Sequence, residues 1–312
     1  MLDSLQVKEK ALNLGFHKVG IGDPYLDYPD QAQNNLTKWL EQDYHGELVW
    51  MDSEKRKNIL QYMPEVRSVI SLAINYYSPQ EHSSNPDAAK ISRYGWGGDY
   101  HKIITKRLKL FRRWLQEQEE GLIVRFCVDT SPVQDKLWAQ RSGLGWIAKN
   151  SNLITREYGS WVFLAEVLLN ISLTPDLPSE NHCGTCTRCI DACPTEAIVE
   201  PYVVDARKCI AYHTIENRNL ELPEKIASNL NHWVAGCDIC QDVCPWNQRF
   251  AQTTDILEFH PHLDNIAPDL NQLATISDED WAEHSRGSAL RRIKASMIRR
   301  NALANLNSKL KN

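Results

Sequence analysis

The sequence predicts an α+β fold in three parts: a mixed helix-and-strand domain over residues 1–173, a cysteine-rich module over 174–250 and a short all-helical region over 251–312. Three observations predict it. Helical periodicity and antiparallel-looking strand patterns alternate up to about residue 172. Eight of the nine cysteines fall between residues 183 and 244. Beyond the cysteines the apolar pattern is helical only.

In chain order, residues 3–14 form an amphipathic helix stopped near Gly15, followed by a strand over 17–22. Residues 31–42 form a second helix with Leu36, Trp39 and Leu40 on one face. The β-branched and aromatic run 66–77 reads as a buried strand. The longest helix covers 101–120, with Ile103, Ile104, Leu108, Leu110, Phe111, Trp114 and Leu115 apolar and Gly121 as its stop. A strand follows over 122–128. Ser131 and Pro132 look like a helix start, running to about residue 142. Residues 152–155 and 160–169 resemble a hairpin turned through 157–159. The stretch 174–179, with Pro175 and Pro178, reads as a linker. The tail over 288–310 resembles a helical hairpin or a fragment of a helical repeat.

The composition is that of a globular chain, 42% hydrophobic and 24% charged, with net charge −5. That charge argues against a generally basic nucleic-acid binder, though not against a local patch. The N-terminus shows no basic start followed by an apolar run, and no apolar stretch reaches the ~20 residues a bilayer needs. A cytoplasmic location without membrane contact is expected. In a reducing compartment, clustered cysteines are metal ligands more often than disulfides.

The first cysteine set is Cys183, Cys186, Cys189 and Cys193, followed by Pro194: C-x2-C-x2-C-x3-C-P, the run of two-cluster bacterial ferredoxins. The second, Cys237, Cys240 and Cys244 with Pro245, matches the last three cysteines of the same run. Its first position is Val234, and Cys209 is the substitute. Widening that gap from two residues to 27 costs about 2 kcal/mol at ~0.6 kcal/mol per doubling of loop length, little beside metal binding. In such runs the fourth cysteine serves the other cluster. One 4Fe–4S cluster is therefore expected on Cys183, Cys186, Cys189 and Cys244, the other on Cys193, Cys209, Cys237 and Cys240. Two structural zinc sites are the alternative. Cys127, inside a strand, reads as a buried apolar cysteine.

Two clusters make a one-electron relay, which does not by itself need a large N-terminal domain. Here further motifs matter. Residues 128–135, Val-Asp-Thr-Ser-Pro-Val-Gln-Asp, lead into 141–151, Arg-Ser-Gly-Leu-Gly-Trp-Ile-Ala-Lys-Asn-Ser. With residues 91–101, with Tyr158-Gly159-Ser160-Trp161 and with the two-cluster module, the chain resembles the epoxyqueuosine reductase family over nearly its whole length.

That resemblance implies a cobalamin cofactor beside two 4Fe–4S clusters, and an oxidoreductase that removes the epoxide oxygen of epoxyqueuosine in a tRNA anticodon loop. Electrons would pass singly through the clusters to make cob(I)alamin. The N-terminal domain becomes the cobalamin-binding catalytic domain, and an external low-potential electron donor is implied. A monomer is expected. Asp135 matches the family's proton donor, and desolvation in a covered pocket would raise its pKa. The competing role for Asp135 is to face the positive N-terminus of its own helix.

For cobalamin contacts the candidates are Arg56, Trp96, Gly97, Asp135, Asn150, Ser151, Tyr158, Gly159 and Ser160. Gly97, Gly98, Gly143, Gly145 and Gly159 would let backbone approach a planar ring, or are simply turn glycines. Asp99, His101 and Ile104 partly match an Asp-x-His-x-x-Gly cobalamin signature, but its glycine is missing. Base-off cobalamin without a histidine ligand is expected. For tRNA, residues 285–312 carry eight Lys or Arg and no Asp or Glu. Arg286, Arg291, Arg292, Lys294, Arg299 and Arg300 are the candidate phosphate contacts, against the plainer reading of a solvated helix face. Rival functions are a cobalamin-dependent reductive dehalogenase and a ferredoxin-type electron carrier.

Overall fold

The computed structural model describes residues 2–26 and 31–309. Helix α1 (Ser4–Asn13) opens on Asp3, whose carboxylate accepts the Leu5 N–H, and Gly15 then takes a positive φ of 85°. Strand β1 (Lys18–Gly22) and helix α2 (Gln31–Glu41) follow. Strand β2 (Ser68–Asn75) is buried at all eight positions, as its two-sided apolar run requires. Helix α3 (Tyr100–Gln118) starts one residue earlier than its periodicity suggests, because the Asp99 side chain caps it. Strand β3 (Val124–Cys127), helix α4 (Asp135–Arg141) and strand β4 (Val162–Leu169) complete the domain.

These strands form one antiparallel sheet in the order β1-β2-β4-β3. On one face α1 and α3 bury Val7, Ala11, Ile104, Leu108 and Phe111 against Ile70, Leu72, Ile74, Ala165 and Val167. On the other face Trp138 and Ala139 of α4 cover Val69, Leu168 and Ala73. Strand alternation sorts β4 accordingly, and it puts Glu166 on the α4 face.

Two sequence expectations are corrected. The helix expected from Ser131-Pro132 begins at Asp135 instead. The Arg56 guanidinium takes the Ser131 and Val133 carbonyls, at 2.9 and 2.8 Å, and holds 131–134 as a non-helical loop. Second, the hairpin expected between 152–155 and 160–169 does not form. Leu153–Ile154 pairs with Trp146–Ile147, while β4 runs between β2 and β3, where both its apolar faces are covered. Only a single bridge, Thr155 to Gly159, remains of the expected turn.

After the cysteines the chain returns to the sheet domain. The Thr254 N–H donates to the Tyr77 carbonyl, and Ile256 and Phe259 join the first core. Helices α5 (Leu270–Thr275), α6 (Asp278–His284) and α7 (Ala295–Lys309) then enclose a second core with Ile91, Trp96, Val234 and Ala235. The tail is thus one helix, preceded by a 3-10 turn over Ala289–Arg292; its last expected residues, 310–312, lie outside the described residues. Among the described residues no helix is long and apolar enough to cross a membrane.

Candidate cluster sites and the carboxyl pocket

Cys183, Cys186, Cys189 and Cys244 line one cavity of about 170 Å³, together with Ile154, Pro245 and Trp246. The first three sit on a tight loop in which the Cys186 N–H donates to the Cys183 carbonyl. The Lys149 ammonium fastens that loop by donating to the Gly184 and Cys186 carbonyls, at 2.7 and 3.0 Å. Cys244 caps the short helix Pro245–Phe250, and the proline at its first turn directs the chain away.

The other four cysteines neighbour one another: Cys193 acts on Cys209, and Cys209 on Cys237 and Cys240. Burial, then the charges of Cys209 and Cys240, push the Cys237 thiol well up. Burial, then Cys209, with Cys193 also contributing, does the same to Cys240. Neighbouring thiolate charges that oppose the ionisation of Cys209, Cys237 and Cys240 suit a site filled by cations. All nine cysteines are free, and among the described residues no three His, Cys, Asp or Glu side chains converge closely enough to chelate a single ion. The thiol set around the cavity and the second set of neighbouring thiols are donor sets of the kind a 4Fe–4S cube takes. Val234, where the second motif lacks its cysteine, is fully buried in the strand Trp233–Ala235 that packs on α7. A thiol there would face the core.

Asp135 opens α4 over the sheet. Its Oδ1 is inaccessible and has no hydrogen-bond partner, and neither Glu166 oxygen has one at hydrogen-bond geometry. The two carboxyls are nonetheless close enough to perturb each other. Burial pushes Asp135 up, to about 6; the neighbouring Glu166 carboxyl opposes the rise, Asp129 adds to it, and Arg56 and Lys136 oppose it. Burial, then the Asp135 charge, raises Glu166 well above an ordinary glutamate. The Arg56 Nε is also without a partner, and its guanidinium lies 4.9 Å from the half-exposed Trp50 ring. Unmet donors and acceptors beside an open aromatic face fit a large amphiphilic cofactor such as cobalamin. Beside the pocket, Asp129 adopts a positive φ of 52°. Its carboxylate is held by His101 Nε2 at 3.1 Å and lies 3.5 Å from Arg292.

The other expected cofactor contacts do structural work. Trp96 is buried and donates its indole N–H to the Ile91 carbonyl at 2.7 Å. A Cβ on Gly97 would collide with the Phe259 backbone, and one on Gly159, at φ +59°, with Asn247. Gly98, Gly143 and Gly145 are closed in the same manner by Glu258, Leu177 and Ile154. The close approach these glycines permit is the protein's own. Tyr158 meets His17 edge-on at 5.3 Å. Asn150 donates to the Cys240 carbonyl at 3.2 Å, and Ser151 to the Tyr202 carbonyl at 2.8 Å. Ser160 binds Asn247 and Gln241. These three residues fasten the sheet domain to the cysteine module.

Two features were not singled out from sequence. Glu166 is the lone charge in the run Val-Phe-Leu-Ala-Glu-Val-Leu-Leu, a signal visible at residues 162–169. A cavity of about 750 Å³ is lined by Tyr77, His82, Arg93, Trp161 and Trp233, among others. Neither His82 nitrogen nor the Trp233 indole N–H has a hydrogen-bond partner. None of the expected cobalamin contacts lines it.

The basic tail is divided. The Arg300 guanidinium donates to the carbonyls of His213 and Asn217, and Arg299 to the Ile276 carbonyl and Asp278. Arg292 pairs with Glu216 at 2.9 Å, and Arg286 with Glu283. Arg291 and Lys294 are exposed.

The comparisons with known proteins agree with one another. The family profile described as epoxyqueuosine reductase QueG, DUF1730, matches residues 56–130, and that of the 4Fe-4S double cluster binding domain matches 182–247. The epoxyqueuosine reductase of Atelocyanobacterium thalassa is 52% identical over 96% of this chain and 98% of its own length. That of a Synechocystis species is 56% identical over 89% and 96%. A crystal structure of epoxyqueuosine reductase with an epoxyqueuosine-modified tRNA-Tyr stem loop superposes with a TM-score of 0.89, at 31% identity, over 97% of this chain and 80% of that one. A Bacillus subtilis epoxyqueuosine reductase, with its aspartate-bearing catalytic loop swung out of the active site, gives 0.86 at 29% identity over the same shares.

Proposed function

Because the chain belongs to the epoxyqueuosine reductase family, an oxidoreductase family, we propose that it reduces epoxyqueuosine to queuosine in tRNA, with Asp135 as the proton donor to the departing oxygen. The observation that carries the assignment is the Asp135 carboxyl itself. It is crowded by Glu166, raised towards neutrality and short of a hydrogen-bond partner at Oδ1. A simple helix-capping aspartate would be satisfied and acidic. A relative with an aspartate-bearing catalytic loop and one holding a tRNA stem loop support the same reading. The curated relatives and solved structures reported above all carry the epoxyqueuosine reductase name, which favours this reading over the dehalogenase and carrier ones.

The double-cluster match supports iron–sulfur centres, and the ligand sets we assign are Cys183, Cys186, Cys189 and Cys244, and Cys193, Cys209, Cys237 and Cys240. Arg56 and Asp135, with their unmet hydrogen-bonding atoms, would hold cobalamin. When bound, it supplies a strongly nucleophilic, low-potential cobalt, with the clusters supplying electrons one at a time. Everything else is done by side chains. Arg56 fixes the loop that presents Asp135. His101 and Arg292 hold Asp129 close by, and its charge helps keep a proton on Asp135. Arg291 and Lys294 remain for tRNA phosphates, whereas Arg299 and Arg300 hold the fold.

The test is anaerobic purification with added corrinoid, incubation with epoxyqueuosine-containing tRNA and nucleoside analysis by mass spectrometry. Conversion to queuosine is expected. Asp135→Ala should keep its iron and sulfide content and its corrinoid, yet slow conversion by about 10²–10⁴-fold. Undiminished conversion in that variant removes Asp135 from the mechanism.

A further inference from the structure

Reduction of an epoxide to an alkene consumes two electrons and two protons. Both C–O bonds break, a C=C bond forms, and the oxygen leaves as water. The redox centres supply the electrons. Asp135 carries a single proton, so a covered site must find a second. We propose that Glu166 holds that second proton and delivers it through Asp135, making the pair a two-proton store for one turnover. This rests on the reductase reading above.

Glu166 sits in the middle of β4, opposite Ser71 of β2 and Cys127 of β3, and has no solvent exposure. The groups that face it are Asp135 and Cys127, with Ser71 on the neighbouring strand; Arg56, Lys136 and Asp129 act on Asp135 from beyond. It has no salt bridge among the described residues. Arg56, which acts on Asp135, is committed to the Ser131 and Val133 carbonyls. An ionised carboxylate here would lack both a counter-ion and hydrogen bonds, an expensive arrangement. The side chain is therefore neutral and holds a proton.

A neutral acid buried mid-strand contributes less to stability than an apolar residue of the same size, so packing alone does not explain it. Its neighbouring acid is Asp135, the proposed proton donor, while the other titratable neighbour, Cys127, is a buried thiol that burial pushes up to about 11. Burial raises both carboxyls, and the Asp129 charge beside Asp135 favours a proton there as well, so the pair enters turnover loaded. Once Asp135 has given its proton, the strongly basic departing oxygen draws the second along the pair. Solvent then reloads both.

Glu166→Gln keeps shape and neutrality but carries no transferable proton. It should retain both clusters and an unchanged melting temperature, yet slow single-turnover conversion by about 10²-fold. Infrared spectroscopy gives a readout apart from activity. A protonated-carboxyl band should persist at pH 8 in the wild type and in Asp135→Asn, and vanish in Glu166→Gln. Glu166→Asp, an acid on a shorter stem, should recover most of the rate with a displaced pH profile, and it answers the question should the glutamine variant fold poorly. Wild-type rate and pH profile in Glu166→Gln, a band unaffected by it, or no recovery in Glu166→Asp would each overturn the proposal. Failure of the reductase reading looks different, since the wild-type enzyme itself would then convert nothing.

Discussion

The sheet domain and the cysteine module are held together by different physics. In the sheet domain β2 is buried along its whole length, and helices cover both faces. In the module no residue from 181 to 194 is buried. Its helices at Arg188–Asp191 and Ile239–Asp242 are single turns of four residues. Such turns are not stable alone. A segment with so little apolar surface to bury depends on its metal, whereas the sheet depends on burial. The difference teaches where each region is vulnerable.

The largest expected effect is loss of metal. By analogy with structural zinc, site formation contributes on the order of 10 kcal/mol, so chelation of iron, or Cys189→Ser, should unfold the module locally. Hydrogen exchange would show amides at 183–193 and 237–244 losing protection while β2 and β4 keep theirs. Joint melting of both regions would break the comparison. The reverse perturbation is smaller. Leu72→Ala removes a fully buried side chain from β2 and should cost about 2–5 kcal/mol, read as a lower melting temperature with cluster absorbance intact until the sheet melts.

The smallest effect divides the basic tail. Replacing Arg291 or Lys294 by Gln should lower the salt slope of tRNA binding by about 1 each without changing stability. Arg300→Gln should instead destabilise the protein, because its guanidinium serves the His213 and Asn217 carbonyls. Equal salt slopes for all three variants would remove the distinction.

Much of this was legible in the sequence. The cysteine spacings, the Asp135 candidate, the long helix α3 and the buried strand β2 depend on local pattern, and local pattern survives folding. What escaped depends on contacts distant in sequence. The strand 162–169 looked like half of a hairpin because 152–155 lies close by in sequence, but burial of both faces draws it between β2 and β3. Glycines that seemed to make room for a ring make room for Phe259 and Asn247, more than 85 residues away. A positive strip of arginines looked uniform until ion pairs with Asp278, Glu216 and Glu283 divided it.

The sequence by itself determined the family and put forward the metal-ligand set, since both are written in residue type and spacing. Only the tertiary structure placed one carboxyl beside another. Asp135 and Glu166 are 31 positions apart, and neither is unusual alone. What alters them is the desolvation and mutual repulsion imposed where a helix start meets the centre of a sheet, and no local pattern encodes that meeting.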